Sequence, residues 1–226
     1  MGSELKKRII TSIGLVLLLS LAFFYTYILV ISLILISSIA WIEFSALISK
    51  IYKKKIFKTL FLKLLIKAMI LVYLFIFSGL IFDGVTQTDP YFKIHILYLF
   101  FVCISSDLGG YVFGKTFKGK KLTKISPNKT VSGSVGSFIF SIILAPFFYF
   151  FFNNFNNIFD LIFISIIVSF FCQLGDLLIS YLKRRAKVKD TSNILPGHGG
   201  LLDRIDGMLL ALPIGIIVWK FLTIYL

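Results

Sequence analysis

Apolar runs of about 20 residues recur seven times along the chain, near 9–25, 27–48, 60–82, 94–113, 135–152, 157–181 and 207–225. About 20 residues of α-helix cross a hydrocarbon slab roughly 30 Å thick, so each run predicts one transmembrane helix. The predicted fold is all-α: a polytopic membrane helix bundle forming one integral membrane domain over 1–226. Amino-terminal helices occupy 1–93, and helices with polar loops occupy 94–226. The first run follows Lys6, Lys7 and Arg8, as in a signal peptide. No convincing small-residue cleavage site follows Ala22, and a second run begins at once, so the run is read as a retained span.

Composition excludes a soluble domain. Of 226 residues, 58% are hydrophobic and 15% charged, and the mean hydropathy is +0.95. One core of this size could not hide that much apolar surface. The 24 Lys and Arg residues are unevenly placed. They cluster before the first run, at 50–58, at 115–129 and at 183–204, while the alternate connections carry almost none. The positive-inside rule then puts the N-terminus in the cytoplasm and, with seven spans, the C-terminus outside. The formal charge of +14 does not indicate nucleic acid, because the cations lie in short loops beside membrane spans. Orientation, attraction to anionic head groups and an anionic substrate account for them. Cys103 and Cys172 lie in apolar runs without metal-ligand spacing and read as small buried hydrophobes.

Polar chemistry concentrates after residue 100. Before it, Glu43 and Lys67 are the exceptions inside apolar runs; Glu43 reads as reaching the interface and Lys67 as snorkelling. Asp107, Asp176, Asp190, Asp203 and Asp206 lie in or beside the later runs, at the end predicted to be cytoplasmic. A carboxylate within a span costs roughly 2.5–3.5 kcal/mol and so implies a partner and a purpose. Asp176, Ser180 and Lys183 are spaced i, i+4, i+7 and share a helix face, as do Asp203 and Asp206 at i, i+3. If the sixth and seventh helices are neighbours, three carboxylates converge in a set suited to Mg²⁺. The competing reading pairs Asp176 with a lysine and makes Asp203 and Asp206 an ion-pair cluster around Arg204. Ser126-Pro127-Asn128-Lys129-Thr130-Val131-Ser132-Gly133 offers hydroxyls, a cation and backbone N–H groups to phosphate, without P-loop spacing. Pro196-Gly197-His198-Gly199-Gly200 permits close backbone approach, with His198 a candidate phosphate donor or proton carrier. His95 is assigned no role.

Together, Ser180-x-Leu182-Lys183-Arg184, Lys189-Asp190-x-Ser192, Leu195-Pro196-x-His198-Gly199-Gly200-Leu201 and Asp203-Arg204-Ile205-Asp206 resemble the 27-residue signature of the phosphatidate cytidylyltransferase (CDP-diacylglycerol synthase) family. Asp107-x-Gly109-Gly110-Tyr111, Gly114-Lys115, Ile125-Ser126-Pro127-x-Lys129-Thr130 and Gly175-Asp176-Leu177 extend the resemblance over roughly 100–210. Ser132 stands where members often carry Glu, and Ile179 where many carry an acid. The resemblance implies transfer of a cytidylyl group from CTP to phosphatidic acid, giving CDP-diacylglycerol and pyrophosphate. It implies Mg²⁺ on Asp176, Asp203 and Asp206, with Asp107 in an outer or second site, and is compatible with a second monovalent or divalent cation. Lys129, Lys183, Arg184 and Arg204 are then expected to hold phosphates, and Ser126, Thr130 and Ser180 to orient them. Lys189, His198, Gly199 and Gly200 complete the expected substrate contacts. The implied partners are CTP, phosphatidic acid and membrane lipids, in the cell (inner or plasma) membrane with the site facing the cytoplasm; a homodimer is compatible with this.

Intramembrane aspartates beside glycines also suit a transporter. Against that reading, the polar residues lie toward one side and no inverted repeat is visible. A kinase or cytidylyltransferase acting on another lipid lacks this signature. The acidic motif of CDP-alcohol phosphotransferases needs further spaced aspartates that are absent.

Overall fold

The computed structural model describes residues 2–53, 56–87, 90–123, 125–152, 157–197 and 199–225. It contains α1 (Gly2–Phe24), α2 (Thr26–Ile51), α3 (Phe57–Thr86), α4 (Pro90–Phe117), α5 (Val131–Phe152), α6 (Ile158–Arg185) and α7 (Leu202–Tyr225). Among the described residues there is no strand, only the isolated bridges Lys121–Thr130 and Leu195–Gly199. The chain is an all-helical polytopic membrane protein. Among the described residues, six helices are long and apolar enough to cross a bilayer; in α1 the apolar stretch, Ile13–Phe24, is shorter than the span predicted over 9–25. Several helices outrun their apolar windows: α4 continues through Gly114 and Lys115, and α7 begins at Leu202 instead of 207. Hydropathy marks the hydrocarbon-facing portion, whereas the hydrogen-bond ladder continues into the polar interface.

The chain forms two compact units. One combines Met1–Thr86 with Tyr181–Ile205, the other Gln87–Ser180 with Asp206–Leu226. In the first, α1 packs on α2 and α2 on α3, and the Ser37 and Ser78 hydroxyls hydrogen-bond at 2.6 Å. In the second, α4 packs extensively along α5. Lipid chains are as apolar as Leu, so hydrophobicity alone does not hold such helices together; close packing and hydroxyl bonds do. A Cβ at Gly109 would collide with the Gly136 carbonyl, and one at Gly136 with Phe113. Ser137 donates to the Ser106 carbonyl at 2.8 Å, and the Ser106 and Ser169 hydroxyls pair at 2.9 Å. Fully buried Tyr98 donates to the Leu161 carbonyl at 3.0 Å. Between α6 and α7, a Cβ at Gly175 would lie 2.5 Å from the Asp206 carbonyl oxygen. That approach brings the backbone beside Asp176 close to the backbone of Asp206.

Gly136→Ala should overpack the α4–α5 contact and lower stability by about 1–3 kcal/mol. Gly79→Ala meets nothing within 4 Å and should be neutral or stabilise by up to ~1 kcal/mol through helix propensity. Unfolding in detergent measures both, and equal stability of the two variants would contradict the packing account.

Candidate active site

In the Gln87–Ser180/Asp206–Leu226 unit, the loop after α4 folds back on itself. Lys118 (φ 51°) and Gly119 (φ 105°) turn the chain at the end of the helix. Leu122 then donates to the Lys129 carbonyl at 2.8 Å, and Val131 to the Lys120 carbonyl at 3.0 Å. Pro127 sits inside a tight turn closed by Lys129 N–H to the Ser126 carbonyl, 3.1 Å; its fixed φ suits that place. Thr130 caps α5: its hydroxyl accepts from Gly133 N–H at 3.1 Å. The orienting role expected of Thr130 is thus exercised first on the helix. Ser132 donates to the Lys118 carbonyl, so it fastens the two ends of the loop.

The loop roofs a cavity of about 270 Å³, lined by Asp107, Tyr111, Ser126, Asn128, Lys129, Thr130, Ser134, Gln173 and Asp176 among others. Lys129 forms an ion pair with Asp176, and Ser180 donates to the same carboxylate at 3.3 Å, as the helical spacing predicted. The charges of Asp176 and Lys129 act on Asp107, and those of Asp107 and Asp206 act on Cys172. The Cys172 thiol reaches Asp107 Oδ1 at 3.7 Å. Asp206 accepts from Gly207 N–H at 2.9 Å. Ser134 donates to Gln173 Oε1 at 2.5 Å, leaving Gln173 Nε2 without an acceptor among the described residues. The cavity therefore offers an ammonium, an amide donor and hydroxyls to an anion.

In the Met1–Thr86/Tyr181–Ile205 unit, two carboxylates organise the loop 186–201. Asp203, in the first turn of α7, receives Lys183 Nζ at 2.7 Å on one oxygen. Its other oxygen receives the Thr191 N–H at 2.8 Å, the Thr191 hydroxyl at 2.9 Å and the Gly200 N–H at 3.1 Å. Glu43, 1% exposed, accepts from Leu201 N–H at 3.1 Å and Leu202 N–H at 2.8 Å. It also lies 2.9 Å from the Thr191 hydroxyl and receives the Ser192 hydroxyl. The Thr191 hydroxyl has one proton and two carboxylate neighbours, so it donates to one at a time. Both acids sit at the N-terminal end of α7, where free N–H groups and the helix dipole favour negative charge. A side chain at Gly200 would overlap Thr191 and come within 2.8 Å of Glu43. Gly197 (φ 77°) and Gly199 (φ 81°) close the turn, so the glycines serve the loop geometry.

Among the described residues no three His, Cys, Asp or Glu side chains form a group able to hold a metal ion as arranged. In donor type, Asp107, Asp176 and Asp206 suit a hard cation, and the Lys129 ammonium already sits as a cation on Asp176. Asp203 does not fit in the same way, because both its oxygens are engaged by Lys183, Thr191 and Gly200. Arg184, Lys189 and Arg204 are exposed. His198, Lys54, Lys55 and Lys124 lie outside the described residues. Sequence reasoning missed Glu43 as the anchor of the loop, together with Thr191, Ser134 and Gln173. The available signal was an acid inside an apolar run, which requires a partner.

Removing Glu43 as an acceptor strands two backbone N–H groups and a hydroxyl in a buried place, so Glu43→Leu should cost about 3–5 kcal/mol. Thr191→Ser, which keeps the hydroxyl, should be tolerated far better than Thr191→Val. Thermal unfolding, with proteolysis of the loop near Ile194, reports both; stability of Glu43→Leu at the wild-type level would remove the anchoring role.

The profile of the cytidylyltransferase family matches residues 46–222. The chain is 39% identical over 142 residues to a phosphatidate cytidylyltransferase of Bacillus subtilis (strain 168), covering 61% of this chain and 53% of that protein. It is 45% identical over 121 residues to one from Staphylococcus haemolyticus (strain JCSC1435), covering 53% and 46%. With one from Staphylococcus aureus (strain COL) it shares 43% over 122 residues, again 53% and 46%. The chain thus spans about half the length of the curated relatives it matches. Glu43 lies just before the segment matched by the family profile.

Proposed function

The chain belongs to the cytidylyltransferase family, and on that footing we propose that it makes CDP-diacylglycerol and pyrophosphate from CTP and phosphatidic acid. The observation that carries the reading is the Lys129–Asp176 pair within a polar cavity set among apolar helices. Both reactants are anions, so positioning and charge neutralisation must supply most of the catalysis.

A nonbridging oxygen of the lipid phosphate forms a bond to the α-phosphorus of CTP. The bond from that phosphorus to the α,β-bridging oxygen breaks, and pyrophosphate leaves with the electron pair. No protein nucleophile is needed. Lys129 exchanges Asp176 for phosphate oxygens, while Gln173 Nε2 and the Ser126 hydroxyl donate to them. Asp176, Asp206 and Asp107 are the residues that would hold Mg²⁺, which when bound neutralises charge on the triphosphate and leaving group. Ser180 keeps Asp176 oriented. Within the Met1–Thr86/Tyr181–Ile205 unit taken by itself, Lys183 is positioned by Asp203, and Arg184, Lys189 and Arg204 are the cations proposed for phosphate. The acyl chains stay in the bilayer of the cell membrane, and CTP enters from the cytoplasm.

Purified protein in lipid should release pyrophosphate only when CTP, phosphatidic acid and Mg²⁺ are all present. Lys129→Ala removes a charged phosphate contact worth roughly 1.5–3 kcal/mol, so kcat/KM for CTP should fall about 10- to 100-fold. Asp176→Asn should remove most turnover while the protein stays folded. Lys118→Ala, which alters a turn residue outside the cavity, should change little. Equal kinetics for the Lys129 and Lys118 variants would detach the cavity from CTP.

Topology is tested independently. Cysteine at Ser126 should react with an impermeant reagent only after cells are permeabilised, whereas cysteine at Asn157 should react from outside. Labelling of position 126 in intact cells would reverse the orientation.

A further inference from the structure

A second cavity, of about 380 Å³, lies wholly within the Met1–Thr86/Tyr181–Ile205 unit, lined by Lys50, Tyr52, Lys53, Thr59, Arg185 and Lys187 among others. It sits where α2 ends at Ile51, α3 begins at Phe57 and α6 ends at Arg185. All three helices are candidate membrane spans, so the cavity lies at the level of the lipid head groups. We propose that it binds the phosphate of an anionic membrane phospholipid, as a site separate from the chemistry assigned above.

Among the described residues, four cations line it and no acid does. The two helix C-termini contribute roughly half a negative charge each, which leaves a clear cationic excess. Those carbonyl ends are also partly satisfied: Tyr52 N–H bonds to Ile48 at 3.0 Å, and Ala186 N–H to Leu182 at 2.9 Å.

Orientation of the chain needs only cations somewhere in the loop. Two details exceed that need. Arg185 is held in place by the Tyr181 hydroxyl at 2.9 Å and lies 5.7 Å from that ring. Lys187 stands in the left-handed region, φ 57°. Its N–H bonds to the Arg184 carbonyl at 3.1 Å, and the Val188 N–H bonds to the Lys183 carbonyl at 3.0 Å. This is the Schellman ending of a helix, at the position usually given to glycine because a Cβ is strained there. A lysine kept where glycine is easier, and lining the cavity, points to a use for its charge.

The test uses the full chain in nanodiscs of phosphatidylcholine with a minority of phosphatidylglycerol. The latter is neither substrate nor product in the proposed reaction, so its retention reports this site and not catalysis. Native mass spectrometry reads the lipid retained. Lys187→Gly removes the charge while relieving the backbone, so it should raise the unfolding temperature by about 2–4 °C yet weaken retention of phosphatidylglycerol about fivefold. Lys50→Gln, Lys53→Gln and Lys187→Gln together should weaken it on the order of a hundredfold. Unchanged retention in both variants overturns the proposal, as does displacement of the lipid by inorganic phosphate at matched concentration, which would make the cavity a site for soluble anions.

Discussion

A polar group placed among membrane helices must find its partner inside the protein, because hydrocarbon offers none. That constraint explains most of what is specific about this chain. Glu43 meets it with two backbone N–H groups and two hydroxyls. Asp203 meets it with an ammonium, a hydroxyl and two backbone N–H groups. A loop with several glycines would otherwise sample many conformations. Tied to buried Glu43 and part-buried Asp203 at the start of α7, it is held in one, and each acid also complements the free N–H groups of that helix end.

The other unit solves the same problem differently. Its helices approach through glycines, and serine hydroxyls bond across them. Close approach matters chemically as well as structurally. At Gly175 and Gly207 it lets the backbones of α6 and α7 meet beside Asp176 and Asp206. The cavity above retains what such packing normally eliminates: a cation, an amide donor without an acceptor among the described residues, and carboxylates within electrostatic reach of one another. Groups of that kind are costly to keep in a membrane protein and make sense where a charged ligand enters.

The cations of the chain therefore serve distinguishable ends. Lys183 neutralises a part-buried acid that shapes a loop. Lys129 sits on Asp176 in a cavity able to receive phosphate. Lys187 occupies a helix ending that its side chain does not favour. Their shared sign orients the protein in the bilayer; their separate surroundings give them separate chemistry.

Six of the seven predicted spans were legible from hydropathy, because exclusion of water dictates apolar windows of bilayer length; the first run forms a helix, but its apolar stretch, Ile13–Phe24, is shorter than such a window. So were the Asp176–Ser180 face, since helical spacing is local, and the family, since its motifs are contiguous. The helix ends were not, because the ladder of hydrogen bonds outruns the apolar window at α4 and α7. Nor could the sequence choose between Asp176 as a metal ligand and as the partner of a lysine, a pairing set by the loop fold that brings Lys129 over α6. Glu43 shows the limit most clearly. Its position within an apolar run announced a need for partners, but those partners lie some 150 residues later in the chain. Local patterns along a sequence report what a residue requires, whereas only the packing of distant segments determines which groups meet that requirement.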